Sequence, residues 1–174
     1  RFARGGYIAC MTRRNAEKLQ PLIAEIEAEG GLAYGFASDA RKEEQVITLV
    51  EEIEANIGEI DVLVFNIGAN VPCSILEETA RKYFKIWEMA CFGAFLTGRE
   101  VAKRMVVREH GSIIFTGATA GIRGAANFAA FAGAKHALRA LAQSMARELG
   151  PKNIHVAHVV VDLSLIHISE PTRQ

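Results

Sequence analysis

Cysteine is scarce in this chain. There are three in 174 residues, Cys10, Cys73 and Cys91, odd in number and far apart. That spacing favours free buried thiols in a reducing compartment over disulfides or a metal site. A charge of one sign is missing too, because 20 Lys and Arg balance 20 Asp and Glu. No global field therefore selects nucleic acid or an anionic membrane, and there is no basic stripe or aromatic platform for a nucleic-acid strand. No apolar run approaches the roughly 20 residues of a membrane span. The chain opens on Arg1 rather than Met, without the charged start, apolar stretch and small-residue cleavage site of a secretory signal. These absences point to the cytoplasm.

What is present is a regular alternation. Half the residues are apolar, enough to bury a core. Short apolar runs read as strands at Tyr7 to Met11, Leu32 to Ala37, Val62 to Phe65, Ser112 to Thr116 and His155 to Val161. Between them, helical spacing runs from Ala16 to Glu29, Lys42 to Ile57, Thr79 to Arg108 (with a break expected near Gly93) and Ala126 to Leu149. Alternating strands and helices predict βαβ units, a parallel sheet and an α/β fold in one domain, residues 1–162.

Both ends read as cut. Arg1 to Tyr7 has the look of a last helical turn with its glycine cap. Leu163 to Arg173, LSLIHISEPTR, matches residue for residue the conceptual translation of a transposase adapter used in sequencing libraries. Residues 163–174 are therefore read as a non-native tail, and His167 and Ser169 are given no role.

In a parallel α/β sheet, ligands bind beyond the carboxyl ends of the strands. After the first strand come Arg13 and Arg14. Adjacent arginines suit the 2′-phosphate of NADP where an acidic residue would select NAD, or they are surface cations at a helix start. After the second strand, Asp39 either accepts from an adenine amino group or caps the following helix. After the third, Asn66 and Gly68 in Asn66-Ile67-Gly68-Ala69-Asn70 allow a ribose or adenine close to the backbone, and the Asn66 amide is placed to tie neighbouring strands. After the fourth, Thr116 and Thr119 offer hydroxyls for a substrate carbonyl or simply form a turn.

The last helix carries FAGAK, Phe131 to Lys135. The i, i+4 spacing sets Phe131 and Lys135 one turn apart on one face. Lys135 either snorkels to solvent or bonds the ribose hydroxyls of a cofactor. Phe131 has no ionisable proton and cannot serve as a general acid or base.

Taken together, these residues resemble a classical short-chain dehydrogenase/reductase (SDR), over essentially the whole of 1–162. The resemblance rests on Arg13-Arg14, Asp39, FNIG (Phe65 to Gly68) where NNAG is usual, FAGAK where YxxxK is usual, and ELGPKNIHVAHV. It implies a Rossmann-type doubly wound parallel sheet whose first strand and C-terminal part are missing. Such a sheet, short of a central strand, is expected to be marginal or to aggregate. Aligned on this pattern, Ala118 takes the place of the catalytic serine, Phe131 of the tyrosine and Ala90 of the helical asparagine. Lys135 alone is kept, and Val161-Asp162 stands where Pro-Gly is usual. A divergent subgroup with Phe before the retained Lys is the nearest match.

The expectation is an NADP(H)-binding, oxidoreductase-like protein, with NAD the poorer fit, a degenerate tetrad and poor reduction of simple ketones. A non-catalytic dinucleotide-binding sensor or assembly subunit is the alternative. The partner would be a small-molecule substrate or none, and the full-length parent a homodimer or homotetramer through the helices at 79–108 and 126–149.

Overall fold

The computed structural model describes residues 1–68 and 71–161. Ala69, Asn70, Asp162 and the adapter-like segment 163–174 lie outside the described residues. The chain forms two compact units, the first from Arg1 to Glu59 and the second from Ile60 onward.

The first unit opens on a single 3₁₀ turn, Ala3–Gly5, closed by Gly6 in the left-handed region at φ 88°. That conformation is open to glycine without steric cost, so the turn-and-cap reading of this segment holds. Strand β1 (Ala9–Arg13) pairs in parallel with β2 (Ala33–Ala37), in register from Ala9 with Ala33 to Arg13 with Ala37. It starts two residues later than the apolar run suggests, because β2 begins only at Ala33 and a ladder needs both partners. The helical stretch between them is a 3₁₀ turn, Ala16–Leu19, that leads into α1 (Gln20–Ala28). Asn15 opens the turn by accepting from the Glu17 amide at 3.0 Å. Helix α2 (Glu43–Asn56) buries Val46, Val50 and Ile53, the i, i+4, i+7 face read from the sequence.

In the second unit, β3 (Val62–Phe65), β4 (Gly111–Ala118) and β5 (Ile154–Val161) form a parallel sheet in that order. Phe115 pairs with His158 and Gly117 with Val160. The helices of this unit are α3 (Ala80–Trp87), α4 (Gly93–Arg108) and α5 (Ala129–Leu149); α4 and α5 pack on the sheet, and α3 packs on α5. Thr79 caps α3 by accepting from the Lys82 amide at 3.2 Å. The expected break near Gly93 is one π-helical turn, Glu88–Phe92, through which the helix continues into α4. Single π turns inside α-helices recur at functional sites. Helix α5 starts three residues later than its periodicity implies, because Asn127 sits at φ 66° and cannot extend it.

The core of this unit is apolar and closely packed. Phe115, Ile113, Leu138, Met105 and Leu96 are all but fully buried. Gly98 on α4 keeps it so. A Cβ there would press on the Phe115 ring at 3.0 Å and on the Met145 methyl at 3.2 Å. No helix among the described residues is long and apolar enough to cross a membrane.

Candidate functional site

Lys135 sits one turn along α5 from Phe131, and the structure settles where it points. It is 4% exposed, so the snorkelling reading is corrected: the ammonium turns inward because the neighbouring turns of α5 are packed against the sheet. Its Nζ donates to the Thr116 carbonyl at 2.8 Å and lies 5.8 Å from the centre of the Phe131 ring, within cation–π reach. Burial lowers its pKa below the usual lysine value. A Cβ on Gly68 would stand 4.0 Å from this nitrogen, so the end of β3 faces the ammonium with only backbone. Gly68 and Lys135 are thus brought together.

Phe131 is buried in an apolar cluster with Ile86, Ala90, Ala130 and Ala134, against which Trp87, Ala118 and Ala120 also pack. Ala90, Ala118 and Phe131 come from three different elements: the π turn, the end of β4 and α5. Nothing in their sequence spacing brings them together; the fold does. The Trp87 indole N–H is the one polar hydrogen among these side chains, and none of them is a general acid or base near neutral pH.

In the first unit, Arg13 and Arg14 are exposed at the end of β1. The Arg13 carbonyl accepts from the Ser38 amide at 3.1 Å, which ties the two strand ends. Asp39 does not cap α2, which corrects that alternative. The cap position is Lys42, and no side chain caps it. The Asp39 carboxylate instead accepts from the backbone amide of Arg41 at 3.1 Å and from its guanidinium at 2.9 Å. Hydrogen bonding to Arg41, against the opposing effect of burial and with Arg14 adding to the field, lowers its pKa to about 2. Beside it, the Ser38 hydroxyl is buried without a hydrogen-bond partner. Such an atom is costly unless something bonds it, and sequence reading passed over it.

Asn66 is exposed and makes no side-chain hydrogen bond among the described residues, so it does not tie strands together; β3 ends at Phe65, and beyond it there is no ladder for the amide to reach. Thr116 contributes its carbonyl, to Lys135. Thr119 opens the 3₁₀ turn Thr119–Gly121 and accepts through its carbonyl from Ile122 and Arg123. Cys10 and Cys91 are free thiols whose pKa values burial raises. No three His, Cys, Asp or Glu among the described residues are grouped to hold a metal.

A second residue escaped sequence reading. His158 on β5 lies in a run that reads as an apolar strand, and its Nε2 is buried without a hydrogen-bond partner among the described residues. The ring occupies space that only a glycine at 117 leaves open, since a Cβ there would overlap it. Burial first, then the positive charges of Arg139 and Lys135, lower its pKa and keep it neutral near pH 7.

These features find counterparts in known proteins. The family model described as short chain dehydrogenase matches residues 1–164. A 2-dehydro-3-deoxy-D-gluconate 5-dehydrogenase of Formosa agariphila is 32% identical over 152 residues, 87% of this chain and 58% of that protein. A short-chain dehydrogenase/reductase of Armillaria gallica is 30% identical over 159 residues, 90% of this chain and 61% of its own length. The chain therefore spans about six tenths of these curated relatives. The crystal structure of a short-chain dehydrogenase from Rhodopseudomonas palustris superposes with a TM-score of 0.88 at 53% identity, covering 91% of this chain and 74% of that one. With parallel βαβ units, a glycine-faced lysine on the last helix and this match over nearly the whole length, the chain belongs to the short-chain dehydrogenase family.

Proposed function

We propose that the protein binds NADP(H) as an SDR oxidoreductase whose catalytic tetrad is degenerate, with Lys135 kept and serine, tyrosine and asparagine replaced by Ala118, Phe131 and Ala90. The observation that carries this reading is their meeting in one apolar cluster beside a buried, singly bonded lysine. Scattered losses would read as drift. A dry cluster at all three positions reads as a site rebuilt without acid–base chemistry.

Within each unit, the residues present fit a part of the cofactor. Lys135 has two further N–H donors for the hydroxyls of the nicotinamide ribose, and Gly68 leaves the approach open. Arg13 and Arg14 are the planar, always-charged groups that favour a 2′-phosphate, hence NADP over NAD. The Asp39 carboxylate, held in place by Arg41, is the acceptor this reading assigns to an adenine amino group. When bound, the dinucleotide supplies a hydride. Lys135 orients it, and the apolar cluster excludes water from the neighbouring space. A positioned general acid is worth about 10²–10⁴ in rate and an oxyanion donor about 10²–10³, so ordinary ketone reduction is expected to be slow.

A second reading, a non-catalytic dinucleotide-binding subunit, draws support from a run of neighbouring rings, the first three stacked and the last tilted, from α3 through the π turn into α4. Phe84, Trp87, Phe92 and Phe95 follow one another at 5.9, 6.0 and 6.1 Å, with the Arg99 guanidinium over Phe95 at 5.0 Å. Phe84 is well exposed, as at a surface that meets another subunit.

The double substitution Phe131→Tyr with Ala118→Ser tests both. A variant that reduces standard ketones, beside an unmodified full-length protein that binds NADPH and turns over nothing in a broad screen, supports the binding-only reading. NADPH oxidation by the unmodified protein with any substrate removes that reading. Failure to bind NADPH removes both.

A further inference from the structure

The peptide between Thr116 and Gly117 is shared by two side chains from different elements. Its carbonyl holds the Lys135 ammonium at 2.8 Å. Its glycine makes room for the His158 imidazole, which no side chain at 117 would allow. Arg139 lies one helical turn beyond Lys135 on α5, on the same face. Beside the end of β4 therefore stand one buried ammonium, that of Lys135, and one group that can gain a second charge, with the exposed Arg139 a turn further along α5. Among the described residues no carboxylate forms an ion pair with Lys135, Arg139 or His158.

Of the other elements packed on β5, the 3₁₀ turn Gly150–Lys152 adds only a cation, Lys152, and the one carboxylate of α5, Glu148, is exposed at its far end. β4 and the turn Thr119–Gly121 carry no ionisable side chain. On α4, the carboxylate of Glu100 is already held by Arg99 at 2.7 Å and Lys103 at 2.9 Å. On β5 itself the other ionisable group is His155, which is exposed.

We propose that His158 is a specificity-determining residue for the redox state of the bound nicotinamide, turning the site against the oxidised, cationic ring when its imidazole gains a proton. The inference rests on the NADP(H) reading above, with the nicotinamide ribose at Lys135. The two forms of the cofactor share every phosphate and differ by one positive charge on the ring. Added positive charge beside that ring penalises the oxidised form and leaves the neutral dihydronicotinamide alone. Burial and the neighbouring cations keep the imidazole neutral until the pH falls below the usual histidine range, so the discrimination appears on the acid side.

The test is equilibrium binding in the full-length protein. The dissociation constants of NADPH and NADP⁺ are measured between pH 8 and 5.5, and their ratio is followed with pH. Because the 2′-phosphate titrates near pH 6 in both nucleotides, its effect cancels in the ratio. The side-chain NMR titration of His158 gives the midpoint against which that ratio is compared. In the wild-type protein the preference for NADPH is expected to grow by about three- to tenfold on acidification, along the His158 curve. In His158→Gln, which keeps a polar group of similar reach that cannot charge, the ratio is expected to stay flat. His158→Asn serves if thermal melting shows the glutamine variant to be unfolded. A flat wild-type ratio overturns the proposal, as does an unchanged slope in the variants. If neither nucleotide binds at pH 8, the NADP(H) reading itself fails and the proposal falls with it, an outcome distinct from a complex whose ratio ignores pH.

Discussion

Gly117→Ala isolates the packing between β4 and β5. The glycine lies on the strand with a backbone that any residue adopts, so the substitution carries no conformational penalty of its own. Its methyl group would overlap Cε1 and Nε2 of His158 and approach the Val159 carbonyl oxygen at 3.1 Å. The imidazole can be displaced only into packed core or solvent, and the carbonyl belongs to the sheet. Overpacking of this kind costs about 1–3 kcal/mol, or about 2–4 °C of melting temperature per kcal/mol in a protein of this size. His158→Ala alone removes a half-buried ring and is expected to cost about 1 kcal/mol. In the double variant the new methyl enters space the ring has vacated. The combined loss should therefore be smaller than the sum, by about 1–2 kcal/mol. Denaturant unfolding of the four proteins gives the cycle. Losses that add within about 0.5 kcal/mol would show that methyl and imidazole do not compete for one space, and the placement of His158 would be wrong.

Lys135→Met should leave stability within about 1 kcal/mol, since the lost bond to Thr116 is offset by removal of a buried charge. NADPH affinity should fall about tenfold or more; a fluorescence titration showing equal affinity removes Lys135 from the cofactor site. Asp39→Asn should cost about 1–2 kcal/mol at neutral pH after solvent screening. Because the folded pKa of Asp39 is depressed from 3.8 to about 2, this contribution is complete above about pH 4 and lost as pH falls through about 2. The gap between wild type and variant in acid unfolding should close over that window. Cys91, buried and with a raised pKa, should react with a thiol reagent at pH 8 only as fast as the protein opens. Labelling at the rate of an exposed thiol would contradict its place in the π turn.

Much of this was legible in the chain. The β3 boundaries Val62–Phe65 match the apolar run, and the buried face of α2 matches its spacing. Where the elements differ, the cause is local. β4 runs from Gly111 to Ala118, past the SIIFT core, because ladder pairing with β5 recruits small residues that carry no strand signal. The inward turn of Lys135 was an open alternative, since one lysine on an apolar face snorkels or buries according to what packs over it. The meeting of Ala90, Ala118 and Phe131 is a tertiary fact: alanines advertise nothing, and only alignment to a family pattern marked them. His158 and Ser38 were invisible because their significance lies in what fails to bond them.

Backbone pairing divides this protein into a two-stranded ladder ending at Ala37 and a three-stranded one from Val62. The arginines at the end of β1 belong to the former, and the lysine and its alanine-lined surroundings to the latter. In evolutionary terms, the two traits can be inherited and altered separately. A lineage can edit codons near position 13 and codons some hundred positions downstream in separate steps, each set falling within its own ladder.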